Sequence, residues 1–425
     1  MNTPKKVVIV GGGFAGLELI NGLSSSSKYE IILVDLNNYN FFPPLIYQVS
    51  TGFMEPSAIS YPYRKILRTK DNVRFRLGSL EQVVPSENKI ILNNGALSYD
   101  ILVIATGTES NFFGNKNIEE NSLPMKTISD ALSLRNVIFK RLDRATRYNN
   151  TEQRKKLLTF VIAGAGPTGV ELSGVFAEMR SNILRKDYPE LNDEDLGEIY
   201  LIDGQDSVLA AMSKKSQSYT HQKLNQLGVK IKLNTLVKDF HNETVYLSDN
   251  TEIQTENLIW AAGISAKTFE GFNPNSYGSG KRLKTNAFNL VEGYDNIYAL
   301  GDSALVFGDD NYPKGHPQLA QPALQQAKNL ATNLKLGISN WKPFKYKDKG
   351  SLAIIGRNKA VLDGPNQSIF LKGFPAWFIW IFVHIMGLVN FKNKFKTFYN
   401  WIGYYIYKDQ YFRMIIEPKQ RKNKE

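Results

Sequence analysis

The sequence predicts an α/β chain of two parallel-sheet units, the second inserted in the first, with a C-terminal segment of different character. Three observations predict it. Residues 160–172 read FVIAGAGPTGVEL: an apolar run, then Gly164, Gly166 and Gly169, then Glu171. Residues 7–19 read VVIVGGGFAGLEL, so Gly11, Gly13, Gly16 and Glu18 repeat that pattern one domain length earlier. From Lys372 onward, aromatic side chains and positive charge crowd together.

Each glycine turn reads as a buried strand entering a helix. The first glycine makes the tight turn, the second lets a pyrophosphate approach the backbone, and the third lets the helix press on its strand. The helix start then offers free N–H groups and partial positive charge to phosphates. One such turn is weak evidence. Two of them predict two Rossmann-like dinucleotide-binding domains, with Phe14 and Ala15 in the first turn and Pro167 and Thr168 in the second.

Composition narrows the chemistry. Cysteine is absent, which excludes disulfides, thiolate metal sites and a cysteine nucleophile. The four histidines, His221, His241, His316 and His384, lie far apart without HxxxH spacing, so neither a metal site nor a Ser-His-Asp triad is expected. A net charge of +12 points to an anionic partner. Residues 1–6 lead straight into a strand, so no secretory or transit peptide is read.

In order along the chain, a strand at 7–10 and a helix over about 15–24 lead to a strand at 29–34. Asp35 closes that strand, placed for the 2′-hydroxyl of an adenosine ribose. Residues 40–52 read as a Pro/aromatic loop without a period. Residues 73–100 read as a β meander turning at Asn93-Asn94-Gly95. A strand at 101–105 exits at Thr106-Gly107. A basic amphipathic helix is expected over 129–149. In the second unit, Asp203 is the strand-end acid, residues 180–198 read as an exposed charged insertion, and a strand at 258–262 exits through Ala262 and Gly263. Residues 294–300 lead into Gly301-Asp302, a helix is expected over 316–337, and strands resume at Ser351.

Two glycine turns, two strand exits and a late Gly301-Asp302 resemble the flavoproteins with two dinucleotide-binding domains. Without cysteines, the disulfide and sulfide reductases of that superfamily do not fit. The residues FPPLIYQVSTG at 42–52, NFFG at 111–114 and above all AQPALQ at 320–325 resemble type II NADH dehydrogenase, whose quinone-site signature is AQxAxQ. Ile46 stands where that family has leucine, and residues 180–198 are an addition; the first is conservative, the second is expected on the surface. The resemblance spans nearly the whole chain.

It implies that FAD is held by Gly11, Gly13, Phe14, Ala15, Gly16, Asp35, Thr106, Gly107, Gly301, Asp302 and Gln321. It implies that NADH is held by Gly164, Gly166, Pro167, Thr168, Gly169, Glu171, Asp203, Ala262 and Gly263. It places the quinone at Gln321, Gln325, Tyr47, Gln48, Ile379 and His384, with Gln321 the donor to a quinone carbonyl. Glu171 keeps two readings. It is an acid favoured by the helix dipole, as Glu18 at the matching place suggests, or it faces the nicotinamide, binding it or relaying protons. Asp203 favours NADH, because a 2′-phosphate would meet a like charge.

From Lys372 the chain carries ten basic and three acidic residues, which leaves +7 of its total charge. Residues 374–391 are strongly apolar but short of the roughly 20 residues a span needs. Aromatic helices beside lysines mark an interfacial anchor on anionic lipid, and no nucleic-acid motif accompanies them. The expected partition is an FAD domain at 1–120 and 290–340, an NADH domain at 121–289, and C-terminal strands and anchoring helices at 341–425. The expected activity is NADH:quinone oxidoreduction at the cytoplasmic membrane face, with a homodimer left open. A soluble flavoprotein reductase with a protein acceptor and a redox-sensing NADH-binding flavoprotein are the alternatives.

Overall fold

The structure is a computed structural model. It describes residues 3–407 and 412–417, with the side chain of Ile183 left aside. The chain forms two compact units. One comprises residues 1–41, 61–109 and 264–349, the other residues 42–60, 110–263 and 350–425.

In the first unit, the apolar run Lys5–Val10 forms the centre of a five-stranded parallel sheet. On one side of it lie Tyr29–Asp35 and Val73–Leu77, on the other Ile101–Ile104 and Ile297–Ala299. Central strands of parallel sheets are covered on both faces, which is why Val7, Val8 and Ile9 are fully buried. The helix Phe14–Leu23 covers one face beside the helix Ala320–Lys335. The meander expected over 73–100 is shorter than read. Val73–Leu77 leaves it for the parallel sheet, and the antiparallel ribbon consists of Leu80–Val84, Lys89–Leu92 and Gly95–Ser98.

The second unit repeats the plan. Phe160–Ala163 is central, flanked by Ile199–Ile202 and Val229–Lys232 on one side and by Asn257–Trp260 and Leu123–Pro124 on the other, all parallel. It too carries an antiparallel ribbon, Val237–His241, Thr244–Leu247 and Glu252–Gln254. A further antiparallel sheet, Ser351–Gly356, Lys359–Asp363 and Phe370–Lys372, lies against the helix Pro167–Met179. The approach is very close: a Cβ at Gly174 would sit 1.8 Å from the Ile355 carbonyl oxygen. That contact presses the glycine helix and everything on its inner face onto the C-terminal sheet.

Several elements depart from expectation. The stretch at 40–52 holds a 3-10 turn, Pro43–Leu45, and a short helix, Ile46–Ser50, with Leu45, Tyr47 and Val49 buried. Five residues cannot sustain a helix alone, so packing makes this one. Residues 180–198 are only partly exposed. Leu184, Leu191 and Leu196 are buried, and Asp195 is tied to Arg154 at 2.7 Å. The basic helix runs Ile128–Ala145, started by a capping box between Thr127 and Asp130. The helix expected from 316 begins at Ala320.

Candidate functional site

Both glycine turns have the geometry a dinucleotide needs. Gly11 and Gly164 sit at φ +102° and +103°, where a Cβ would also meet the Ala105 and Ala261 carbonyls at 2.3 and 2.5 Å. Gly16 and Gly169 bring helix against turn, since a Cβ there would lie 1.9 and 1.8 Å from the Gly11 and Gly164 oxygens. Gly13 and Gly166 are the opposite case, with nothing within 4 Å of the missing Cβ. Each is the N-cap of its helix, and neither helix has a side chain closing its start. The unmet N–H groups at each helix start fit a pyrophosphate. Phe14 and Ala15, like Pro167 and Thr168, form the first helical turn beside that opening.

The strand-end acids are placed alike. Asp35 Oδ2 accepts from Gly12 N at 2.7 Å and from the Tyr63 hydroxyl at 3.0 Å, and its Oδ1 accepts from Asn37 N at 2.8 Å. Asp203 accepts from Ala165 N at 2.5 Å and from Gln205 N at 2.8 Å. Each acid thus ties its strand to its own glycine turn, and a carboxylate's remaining lone pairs can still take a ribose hydroxyl. Burial raises the Asp35 pKa against these donors.

The strand exits close each mouth. In the first unit, Thr106 and Ser303 hydroxyls lie 3.2 Å apart and the Ser303 hydroxyl donates to the Gly107 carbonyl. Gly301, at φ +64°, donates its N–H to Gln326 at 2.7 Å, and the Asp302 carbonyl accepts from Gln318. In the second unit, Asn111 N donates to the Gly263 carbonyl at 3.0 Å while Trp260 Nε1 donates to the Asn111 carbonyl, leaving Ala262 exposed at the rim.

Gln321 and Gln325 share one helix face and both engage residues 346–349. The Gln321 carbonyl accepts from the Tyr346 hydroxyl and Lys349 N. Gln325 bonds the Lys347 backbone at both ends of its amide, 2.9 and 3.1 Å.

The second unit gathers the other candidates around Glu171. Glu171 lies in the second turn of its helix, with 7% of its surface exposed. Burial lifts its pKa well above the usual carboxylate range, against the pull of the Ile354 N–H and the Trp380 indole N–H. That indole nitrogen is buried and completes no standard hydrogen bond. Glu18, at the matching place in the first helix, instead meets Lys328 at 3.7 Å. The two glutamates therefore occupy different environments despite matching sequence.

Tyr47 and Gln48 are buried in this same unit. Gln48 Nε2 donates to the Tyr47 hydroxyl at 3.1 Å, and Gln48 Oε1 accepts from Trp401 Nε1 at 2.9 Å. Burial above all raises the Tyr47 pKa well above its ordinary value, so the phenol is protonated. His384 stacks on Trp380 at 3.9 Å and meets Phe42 edge-on. Burial pushes its pKa down to about 4, so the ring is neutral near pH 7. Its Nδ1 lies 2.8 Å from the Trp380 carbonyl. A carbonyl only accepts, so Nδ1 carries the proton and Nε2 is an acceptor. Ile379, one residue before Trp380, is half-buried.

Sequence reasoning missed Glu178, Tyr404 and Trp401. Glu178 accepts from Arg357 N at 2.5 Å and from the Tyr404 hydroxyl at 2.7 Å. Its signal was present, seven residues after Glu171 on the same helix face. The partners on the tail helix have no local signal.

This pairing of matched dinucleotide mouths on one chain agrees with the family comparisons. Residues 5–327 match the model for the pyridine nucleotide-disulphide oxidoreductases, the class of flavoproteins with paired dinucleotide domains, although this chain has no cysteine for the disulphide of the name. Residues 349–408 match the NDH2 C-terminal domain. The type II NADH:quinone oxidoreductase Ndh of Mycobacterium tuberculosis is 34% identical, over 93% of this chain and 87% of that protein. The internal alternative NAD(P)H-ubiquinone oxidoreductase A1, mitochondrial, of Arabidopsis thaliana is 25% identical over 95% and 84%. The solved structure of NDH2 from Plasmodium falciparum in complex with NADH shares the fold, with TM-score 0.87 and 23% identity over 97% of this chain and 100% of that one. The chain belongs to the type II NADH:quinone oxidoreductase family.

Proposed function

We propose the following assignment of this chain's residues to its reaction. The chain is an FAD-dependent NADH:quinone oxidoreductase of the non-proton-pumping kind. The observation that carries the reading is the pair of glycine turns, alike in φ, in close contacts and in open mouths, joined to an NDH2 C-terminal domain. Bound FAD supplies the hydride acceptor and the two-electron link to the quinone.

In the FAD domain, Gly11, Gly13, Phe14, Ala15 and Gly16 hold the pyrophosphate. Asp35 holds the ribose, and Thr106, Gly107, Gly301 and Asp302 hold the ribityl side. The Gln321 helix start favours negative charge on the flavin through its dipole. In the NADH domain, Gly164, Gly166, Pro167, Thr168 and Gly169 hold the pyrophosphate, Asp203 the ribose, and Ala262 and Gly263 the nicotinamide side. Glu171 is the proton-holding group. Its burial, which favours the protonated form, suits a donor to the quinone better than a charged anchor for nicotinamide. The quinone is assigned to Gln321 and Gln325 of the first unit and to Tyr47, Gln48, Ile379 and His384 of the second. His384 would accept from a quinol hydroxyl, since its Nε2 bears no proton.

Among the described residues no helix is long and apolar enough to cross a membrane. We place the chain as a peripheral protein, on the cytoplasmic face, held on anionic lipid through the helices Phe374–Gly387 and Phe391–Tyr407. Exposed Phe378, Phe382, Phe395 and Tyr399 support this. The domain partition proposed is FAD at 1–120 and 290–340, NADH at 121–289, and membrane segment at 341–425.

The test is NADH oxidation by the purified flavoprotein with a quinone acceptor. Rapid bleaching by NADH and rapid recovery by quinone are expected. Recovery only with a protein acceptor would overturn the reading. Because Asp203 holds a negative charge at the ribose end of the mouth, kcat/KM for NADH is expected to exceed that for NADPH by about tenfold or more. Steady-state kinetics with both nucleotides check it, and equal values would remove Asp203 from that role.

A further inference from the structure

The two strand-end acids differ by one donor. Asp203 accepts from two backbone N–H groups, those of Ala165 and Gln205, and from no side chain among the described residues. Asp35 accepts from the matching backbone groups of Gly12 and Asn37, and from the Tyr63 hydroxyl as well, at 3.0 Å. A carboxylate only accepts, so that hydroxyl is the donor.

The first glycine turn is shaped around Tyr63. Its side chain is 2% exposed, its ring lies 5.2 Å from that of Phe75, and its backbone N–H donates to the Asn38 carbonyl at 3.0 Å. A Cβ at Gly12 would lie 2.4 Å from the Tyr63 hydroxyl and 2.5 Å from its ring. Only glycine leaves that space, whereas Ala165 stands at the matching place in the second turn. The Gly12 carbonyl accepts from the buried Asn40 Nδ2 at 2.9 Å, and the Ala165 carbonyl from Leu209 N at 2.9 Å. Backbone alone thus fastens the second turn, and two buried side chains help to fasten the first.

Gly12 and Tyr63 take both lone pairs of Asp35 Oδ2, so the site left for a ligand hydroxyl is on Oδ1, beside Asn37 N. Burial raises the Asp35 pKa, and the hydroxyl joins the two backbone donors in opposing that rise. Tyr63 therefore fixes the direction of the carboxyl and supports its accepting, ionised form.

We propose that Tyr63 is a positioning residue that holds Asp35 in place for the adenosine ribose of FAD, a hold that the NADH mouth lacks. The proposal rests on the reading of Asp35 as the FAD ribose acceptor. An acceptor already set in its bound orientation loses less freedom on binding, so its ligand is held more tightly. FAD is the resident cofactor and NADH the exchanging substrate. The extra donor sits in the mouth whose ligand stays.

The experiment measures flavin release, by the fluorescence gained on dilution. The full chain is loaded with FAD, or with FAD whose adenosine ribose lacks its 2′- and 3′-hydroxyls. Tyr63→Phe removes one hydroxyl and keeps the ring. It is expected to speed FAD release on the order of tenfold. The native chain is expected to release the deoxy flavin faster than FAD, and Tyr63→Phe to add little to that rate. Equal speeding with both flavins would mean that Tyr63 is general scaffolding and would overturn the proposal. Unchanged FAD release would overturn it too, and leave the ribose reading of Asp35 standing. If the native chain releases both flavins alike, that reading falls and takes the proposal with it.

Discussion

Glu171→Gln is expected to lower quinone-dependent NADH oxidation on the order of 10²-fold, while FAD stays bound and the protein becomes more stable above pH 4.5. The activity loss follows from replacing a positioned proton donor by a group that cannot give up a proton. The stability gain follows from the same burial. Desolvation raises the Glu171 pKa from its ordinary value of 4.5. Its contribution to stability is fully present below that pH. It is lost as pH rises toward the folded-state pKa, at about 1.4 kcal/mol per pH unit, because the unfolded chain ionises there and the folded one does not. Glutamine titrates in neither state. The melting temperature of the variant relative to the native chain should therefore climb as pH rises above 4.5 toward the folded-state pKa of Glu171. Single-turnover absorbance should show normal bleaching by NADH and slow recovery with quinone. Equal slowing of both halves would assign Glu171 to nicotinamide binding, and a pH-independent difference in melting would mean that Glu171 is not held neutral.

Serine at Phe378, Phe382, Phe395 and Tyr399 together should lower partition onto anionic vesicles on the order of 10²-fold or more. Each aromatic side chain moved out of water contributes about 1.5–3 kcal/mol when fully buried, and interfacial seating realises part of that. These four are 60–69% exposed, so the chain loses little of its own packing. Vesicle sedimentation measures the partition, and turnover with a water-soluble acceptor should be unchanged. Added salt should weaken binding of the native chain through the nearby lysines. Undiminished sedimentation of the fourfold variant would rule out this face. Deleting everything after Phe370 is a poor substitute, because Trp380, Leu388 and Trp401 are core residues and Trp401 also holds Gln48.

The dinucleotide turns were legible because their chemistry is local. A φ near +100° and a Cβ-free approach each demand glycine at one position, so Gly11, Gly16, Gly164 and Gly169 announce themselves. Strand-end acids follow by spacing. What resisted reading depends on distant partners. The helix Ile46–Ser50 exists through its burial, and no five-residue pattern declares that. Glu171 and Glu18 stand in matching contexts, and only the sheet at 351–363 and the Trp380 helix separate a buried carboxyl from one beside a lysine. Gln325 shows the converse. Its motif spacing was clear, yet both ends of its amide bond the Lys347 backbone.

The burial that favours the protonated form of Glu171 bears on nucleotide affinity. Glu171 is the fifth residue of a helix whose uncapped start is the proposed pyrophosphate site, about 7 Å along the axis. An ionised carboxyl there would work against the anionic nucleotide. Binding of the nucleotide and retention of that proton therefore favour each other, and by reciprocity each strengthens the other by the same factor. On the assignment proposed above, the nucleotide and the proton on Glu171 would share one binding equilibrium, and nucleotide affinity would fall as Glu171 ionises.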